Sequence, residues 1–463
     1  MVDRLSPLDV SFLYLETPTT PMHVGGVAVF QPPTQGFDYE RLVALIGERI
    51  ALVPRYRQKV RTVPAHLANP VWVDDANFDL TFHVRRSALP RPGGDAQLRE
   101  LVGRLMGRPL DRTRPLWEIY LVEGLAEGRV GIVTKTHHAM VDGVAAVDIG
   151  TVILDVEPEP REIPADDWRP EPAPGALRLV AGAVTDLVRR PTEALDVARA
   201  AVLDARATAE RAVGLAGGLL ASARTVVRPA PSSPLNATIG EQRRFAMART
   251  SLDDYKAVRK HHGGTVNDVV LAAVAGALRR WLLTRGEPIG PASTVRAMVP
   301  VSVRAEGQRG QAGNRVSSYF VDLPVGEASP VLRLHQVSFA MRGHKESGQS
   351  VGADALVQLS GFAPPTLHAL GARVASGLSR RLFNLVVTNV PGPQFPLYAA
   401  GARMLEMYPV VPLSIGQTVA IGLTSYDGGV FYGLKADRDA LPDADVLADC
   451  IEESLAELAG TVR

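Results

Sequence analysis

Val130-Gly-Ile-Val-Thr-Lys-Thr-His-His-Ala-Met-Val-Asp-Gly143 decides how this chain folds. Its apolar and β-branched residues predict a strand that runs into two histidines, with Asp142-Gly143 at a strand-to-helix corner. Side chains alternate across a strand, so Ile132, Thr134, Thr136 and His138 are predicted on one face and Val133, Lys135 and His137 on the other. One histidine of the pair therefore serves any given cleft. An imidazole can take the proton of an alcohol as its oxygen attacks an acyl carbon. If the acyl donor is a thioester, the leaving thiolate is stable, since a free thiol has a pKa of about 8.5, and no enzyme nucleophile is needed. Cys450 sits in a C-terminal helical pattern without a partner motif, and no serine nucleophile of the G-x-S-x-G type is expected. The plainer alternative for adjacent histidines is one buried, hydrogen-bonded ring and one surface ring. Metal binding is the third, weakened because neighbouring strand residues point apart and no H-E-x-x-H spacing occurs, so no metal is expected. Asp142 is read as structural support, and Gly143 as the residue that permits the turn.

Outward from this segment the chain alternates strand and helix. Strands are predicted at residues 23–31, 72–75, 80–84, 117–122 and 130–138, with helices at 39–53 and 97–106. Residues 158–174 are dense in Pro, Glu and Asp, which disfavours helix and sheet interior and marks a linker. An Ala-, Val-, Leu- and Arg-rich run from Ala176 to Val227, interrupted by Pro191, reads as helices ending at a second Pro and Ser cluster. A helix at 265–284, strands at 295–303 and 315–323, helices near 330–345 and 351–376, and strands at 385–389, 404–411, 419–425 and 430–435 follow. Asp427-Gly428-Gly429 predicts a hairpin turn, and a helix at 444–458 closes the chain. The expected division is a first α/β half at 1–157, a Pro-rich and helical linker at 158–234 and a second α/β half at 235–463.

With 463 residues, two domains or one composite domain are expected. Hydrophobic residues at 46 % and charged residues at 21 % fit a folded enzyme and exclude a disordered chain. Fifty Lys plus Arg against forty-nine Asp plus Glu leave a net charge of +1, too little to gather nucleic acid. One cysteine permits no intrachain disulfide and no cysteine-built metal site. Without a signal-peptide pattern or a long uncharged apolar stretch, a cytoplasmic location is expected, with any membrane or lipid-droplet contact peripheral. The Ala176–Val227 run could lie in a membrane interface or brace the two halves, and its mixed charges favour bracing.

His137-His138-Ala139-Met140-Val141-Asp142-Gly143 resembles the HHxxxDG signature of the bacterial wax ester synthase and diacylglycerol acyltransferase family. Pro115-Leu116-Trp117-Glu118, Trp72-Val73-Asp74-Asp75 with Phe78-Asp79, Pro234-Leu235-Asn236, Asn267-Asp268 and Asn389-Val390-Pro391-Gly392-Pro393 are similar to its other blocks, in the same order. The HxxxDG core is shared with the wider coenzyme-A-dependent acyltransferases, including chloramphenicol acetyltransferase and peptide-synthetase condensation domains. The resemblance implies two chloramphenicol-acetyltransferase-like α/β halves facing each other across a tunnel, joined by a helical linker. It implies that His138 is the base, with His137 beside it and Asp142 structural. It also implies acyl-coenzyme A as co-substrate, no permanently bound cofactor, and direct transfer to diacylglycerol or a long-chain alcohol without an acyl-enzyme. An acyl donor held on a carrier protein, or a lipid-binding protein of this fold without turnover, are the alternatives.

Other residues carry weaker signals. Asn267 and Asp268 open a helix, where capping is the ordinary role, and the resemblance adds Asn267 as a tunnel-lining residue. Thr388 and Asn389 end a strand before Pro-Gly-Pro, as turn residues or as donors to a developing oxyanion. Trp117 is expected in packing, and His261-His262 in a polar loop before two glycines.

Overall fold

A computed structural model describes residues 3–64, 67–141, 149–164, 166–189, 229–302, 316–347, 351–352 and 382–462. In chain order the strands are β1 (His23–Gln31), β2 (Gln58–Arg61), β3 (Val71–Asp74), β4 (Val84–Ala88), β5 (Trp117–Glu123), β6 (Val130–His137) and β7 (Arg243–Ser251). They continue with β8 (Val295–Ser302), β9 (Val316–Leu323), β10 (Val351–Gly352), β11 (Leu385–Pro391), β12 (Tyr398–Ala399), β13 (Ala402–Val410), β14 (Val419–Tyr426) and β15 (Gly429–Asp437).

These strands form two main sheets, the α/β pair of halves expected from sequence. The six-stranded sheet runs β12-β13-β1-β6-β5-β4 and the seven-stranded sheet β10-β9-β8-β11-β14-β15-β7. Helices Tyr39–Arg49 and Asp95–Gly107 bury Leu42, Leu45, Ile46, Leu98, Leu101 and Val102 in the core of the first sheet. Helices Leu252–His262, Val266–Thr284 and Ala444–Gly460 build the second core with β7, β8, β14 and β15. Val266–Thr284 starts on a reciprocal cap: Asp268 N–H donates to Thr265 Oγ1 at 3.1 Å, and Thr265 N–H to the Asp268 carboxylate at 2.8 Å. Its Val269–Leu278 run is buried on every side, which explains why it is almost wholly apolar.

The division at residue 235 does not separate the sheets. β13 belongs to the second half by sequence, yet pairs antiparallel with β1, Gly25 opposite Val410 and Gln31 opposite Arg403. The same strand packs on the second sheet where side chains are missing. A Cβ on Gly433 would stand 1.9 Å from the Pro409 carbonyl oxygen, and one on Gly422 2.7 Å from Val411. Arg249 of β7 reinforces the junction, pairing with Asp95 at 2.6 Å and with Glu406 of β13 at 2.9 Å.

Several local expectations are corrected. Residues 80–83 form one helical turn, not a strand, because the Asp79 carboxylate accepts the Thr81 N–H at 2.9 Å; β4 begins at Val84. His261 and His262 end the Leu252–His262 helix, where basic residues suit the C-terminal dipole, instead of lying in a loop. The helix placed at 351–376 falls on β10 at Val351–Gly352, and its remainder lies outside the described residues. The helix Pro7–Leu15 and strands β2, β7 and β12 had no counterpart in the sequence prediction. The hairpin holds: Asp427 and Gly428 have φ of 44° and 84°, the two-residue turn that matches strand twist. Residues 166–175 form neither helix nor strand, with Trp168 against Arg57 and Phe78, and Leu179 of the following helix, Ala176–Arg189, packs on Val63, Val71 and Val73. The linker thus contacts the first half through Trp168 and Leu179; residues 190–228 lie outside the described ones.

Lys435 of β15 is 1 % exposed, and its ammonium has no hydrogen-bond partner among the described residues. Burial, with Arg243 and Lys135 nearby, lowers its pKa to about 7. The unfolded chain holds this proton up to about pH 10.4, so between pH 7 and 10 the unfolded state binds more protons and stability rises with pH. Lys435→Met, close in volume, should therefore melt above the parent protein in thermal unfolding. The gap should be wider at pH 6 than at pH 9.

Candidate active site

β6 does not continue through both histidines. It ends at His137, and His138–Met140 form a single 3-10 turn. The reason is local: His137 Nδ1 accepts the N–H of Ala139 at 3.1 Å, so the first histidine caps the turn that carries the second. Strand alternation thus predicted the separation of the two rings, but the turn is what produces it. His137 is 0 % exposed, while His138 is half-buried.

Backbone bonds fix both positions. His137 N–H donates to Leu116 O at 2.9 Å and His138 N–H to Met22 O at 2.8 Å. The Pro115-Leu116-Trp117 block therefore positions the pair through its carbonyl, while Trp117 is fully buried and donates its indole N–H to Tyr56 O at 2.7 Å, the packing role expected. The His138 ring stacks on Phe12 with centroids 3.9 Å apart and planes 24° from parallel.

Behind the pair lies Glu16, the C-cap of helix Pro7–Leu15, with a side chain 9 % exposed. Its carboxylate stands 3.4 Å from His23 Nε2 and 3.6 Å from His137 Nε2, long for hydrogen bonds, and accepts the Met22 N–H at 3.2 Å and Arg112 Nε at 3.0 Å. Burial alone would raise its pKa. Contacts with His137, His23 and Arg112 outweigh burial and hold the carboxyl well below the usual range. Burial lowers His137 and takes His23 down to about 3, so both rings are neutral near pH 7. With Nδ1 of His137 accepting from Ala139, its proton sits on Nε2 facing Glu16.

From the second half the structure brings together two of the predicted residues: Asn389 Nδ2 donates to Asn267 Oδ1 at 3.3 Å, tying the end of β11 to the helix opened by Thr265. Thr388 precedes them and is half-buried. Asp268 is the helix cap of the ordinary reading. Asp142 and Gly143 lie outside the described residues. Two clefts of 460 and 560 Å³ open beside Pro33 and Pro158 and beside Phe78 and Trp168; neither is lined by His138, Asn267, Thr388 or Asn389.

Gly348-Gln349-Ser350-Val351-Gly352 does have G-x-S-x-G spacing, which corrects the sequence expectation. A nucleophile elbow needs a strand before the serine and a helix after it. Here helix Pro330–Ser347 precedes and β10 follows, the reverse order. Cys450 is buried, which raises its thiol pKa to about 11 and makes it a poor nucleophile.

Phe12 and Glu16 escaped the sequence reading. Ser6-Pro7-Leu8-Asp9 was the available signal, since Asp9 N–H donates to Ser6 Oγ at 3.1 Å and Ser6 N–H to Asp9 at 3.3 Å, a capping box with proline at the first helical position. No local pattern marks Glu16, whose partners come from β1, β6 and the loop after residue 107.

The profile described as wax ester synthase/diacylglycerol acyltransferase catalytic domain matches residues 5–270, and that of the WS/DGAT C-terminal domain matches 312–459. The chain is 49 % identical over 263 residues to the probable diacylglycerol O-acyltransferase tgs3 of Mycobacterium tuberculosis, covering 57 % of this chain and 97 % of that protein. It is 34 % identical over 465 residues to the probable diacylglycerol O-acyltransferase tgs1 of the same organism, covering 99 % and 96 %. The solved wax ester synthase/diacylglycerol acyltransferase from Marinobacter aquaeolei VT8 superposes with a TM-score of 0.71 at 31 % identity, over 99 % of both chains. The first condensation domain of the calcium-dependent antibiotic synthetase shares the fold, with a TM-score of 0.59 at 18 % identity over 100 % of this chain and 96 % of that one. Two sheet-containing α/β halves with these matches define an acyltransferase. The chain belongs to the bacterial wax ester synthase/diacylglycerol acyltransferase family.

An aromatic stack of this kind contributes about 0.5–1.5 kcal/mol. Phe12→Ala should lower the transfer rate by about two- to tenfold with little change in melting temperature. Steady-state kinetics beside thermal unfolding would check it.

Proposed function

We propose that this acyltransferase esterifies diacylglycerol to triacylglycerol, with long-chain alcohols as a second acceptor, and takes its acyl group from acyl-coenzyme A. His138 is the general base in this proposal. The acceptor hydroxyl gives its proton to the ring as its oxygen attacks the thioester carbonyl. The C–S bond then breaks, and the coenzyme A thiolate recovers the proton from the imidazolium, so the ester and free thiol leave together and no acyl-enzyme forms. Thr388 and Asn389, at the end of β11, are the donors we assign to the oxyanion. Asp142, outside the described residues, is assigned structural support in this proposal. The halves would meet across a tunnel that admits donor and acceptor from opposite mouths.

The observation that carries the proposal is the inequality of the two histidines: His137 is sealed and used as a cap, while His138 is half-buried, anchored through its backbone N–H and stacked on Phe12. Named relatives that are diacylglycerol O-acyltransferases support the acceptor class. No helix among the described residues is long and apolar enough to cross a membrane, and lipid contact at a membrane or droplet surface is proposed to be peripheral.

Long-chain acyl-coenzyme A and diacylglycerol, incubated with the purified protein, should give triacylglycerol and stoichiometric free thiol. His138→Ala should reduce this rate by about a hundredfold or more with an unchanged melting temperature. A folded His138→Ala protein with parental turnover would refute the assignment.

A further inference from the structure

We infer that Glu16 is a positioning residue for transfer: its buried carboxylate fixes the turn on which His138 stands. The inference rests on His138 acting as the base.

Two routes connect the Glu16 carboxylate to the His138 turn, and a third runs through the backbone of the same residue. The first is backbone. Glu16 Oε1 accepts the Met22 N–H at 3.2 Å, and the Met22 carbonyl accepts the His138 N–H at 2.8 Å, so the residue that anchors His138 is itself anchored by Glu16. The second runs through the neighbouring ring. Glu16 Oε2 stands 3.6 Å from His137 Nε2, which keeps the proton on that nitrogen and leaves Nδ1 to accept the Ala139 N–H at 3.1 Å, inside the turn. The third runs through the first helix. Glu16 N–H donates to Phe12 O at 3.2 Å, so the residue that ends the helix also sets the register of the ring stacked on His138. Arg112 holds the carboxylate from outside, donating to Glu16 and, at 2.9 Å, to Leu13 O.

A buried carboxylate is costly unless it is fully engaged. Simple burial of a helix end calls for a backbone cap, which an apolar or amide side chain would leave intact. Glu16 instead carries its charge into a site with two neutral histidines. What two of the carboxylate's contacts have in common is the turn that carries His138: Met22 anchors its first N–H and His137 caps it at Ala139. A base displaced by about an ångström can lose a hundredfold in rate.

Glu16→Gln and Glu16→Ala, measured beside His138→Ala with long-chain acyl-coenzyme A and diacylglycerol, test this. Glu16→Gln keeps the shape and one acceptor and should lower kcat by about tenfold; Glu16→Ala should lower it by about a hundredfold. KM for both substrates should stay within about twofold, because Glu16 contacts neither. Parental kcat in both variants, with His138→Ala inactive, overturns the positioning role alone. A loss confined to KM, or a Glu16→Gln protein that does not fold, assigns the carboxylate to binding or stability and also overturns it. An active His138→Ala protein removes the base, and the positioning role falls with it.

Discussion

The hydrogen bonds between β1 and β13 join the two halves of this protein into one body. Without β13 the first sheet would present β1 as an open edge, and unpaired strand edges are exposed, sticky templates. With β13 in place, a strand contributed from beyond residue 400 completes a sheet begun at residue 23. The backs of β14 and β15 are bare at Gly422 and Gly433, so β13 approaches close enough for its Pro409 carbonyl to occupy the space a Cβ would need. Removing either glycine would force apart the surfaces that hold the halves in register.

That junction reaches the chemistry through β1. Its other edge pairs with β6, His23 opposite His137, which sets the sealed histidine against the carboxylate of Glu16. Two adjacent imidazoles acquire different jobs for a geometric reason: the first spends its Nδ1 on the backbone of the turn, and the turn swings the second out of the sheet. With His138 as the proposed base and a thioester as the proposed donor, transfer needs little more than a well-aimed ring. Aim is what the surrounding polar groups supply.

The sequence disclosed most of the element types, because strands such as Val130–His137 and Val419–Tyr426 alternate or run apolar as burial requires, and caps such as Thr265 announce their helices. Partnership was less visible. Residues 404–411 read as a strand, but nothing local in them says that their partner lies nearly four hundred residues earlier. The helix at Pro7–Leu15 was missed because its apolar residues surround it without a clean stripe, although its capping box was legible. Strand alternation separated His138 from His137, while the turn that carries out that separation depends on a side-chain bond that periodicity cannot express. Glu16 was silent, since its meaning comes entirely from residues distant in the chain.

The most direct test of His138 as the base is a crystal structure with a non-hydrolysable thioether analogue of a long-chain acyl-coenzyme A and a diacylglycerol bound together. The account predicts the acceptor hydroxyl at hydrogen-bond distance, about 3 Å, from the His138 ring and facing the acyl carbon. A complex in which both ligands meet elsewhere, with that ring shielded from the hydroxyl, would contradict it.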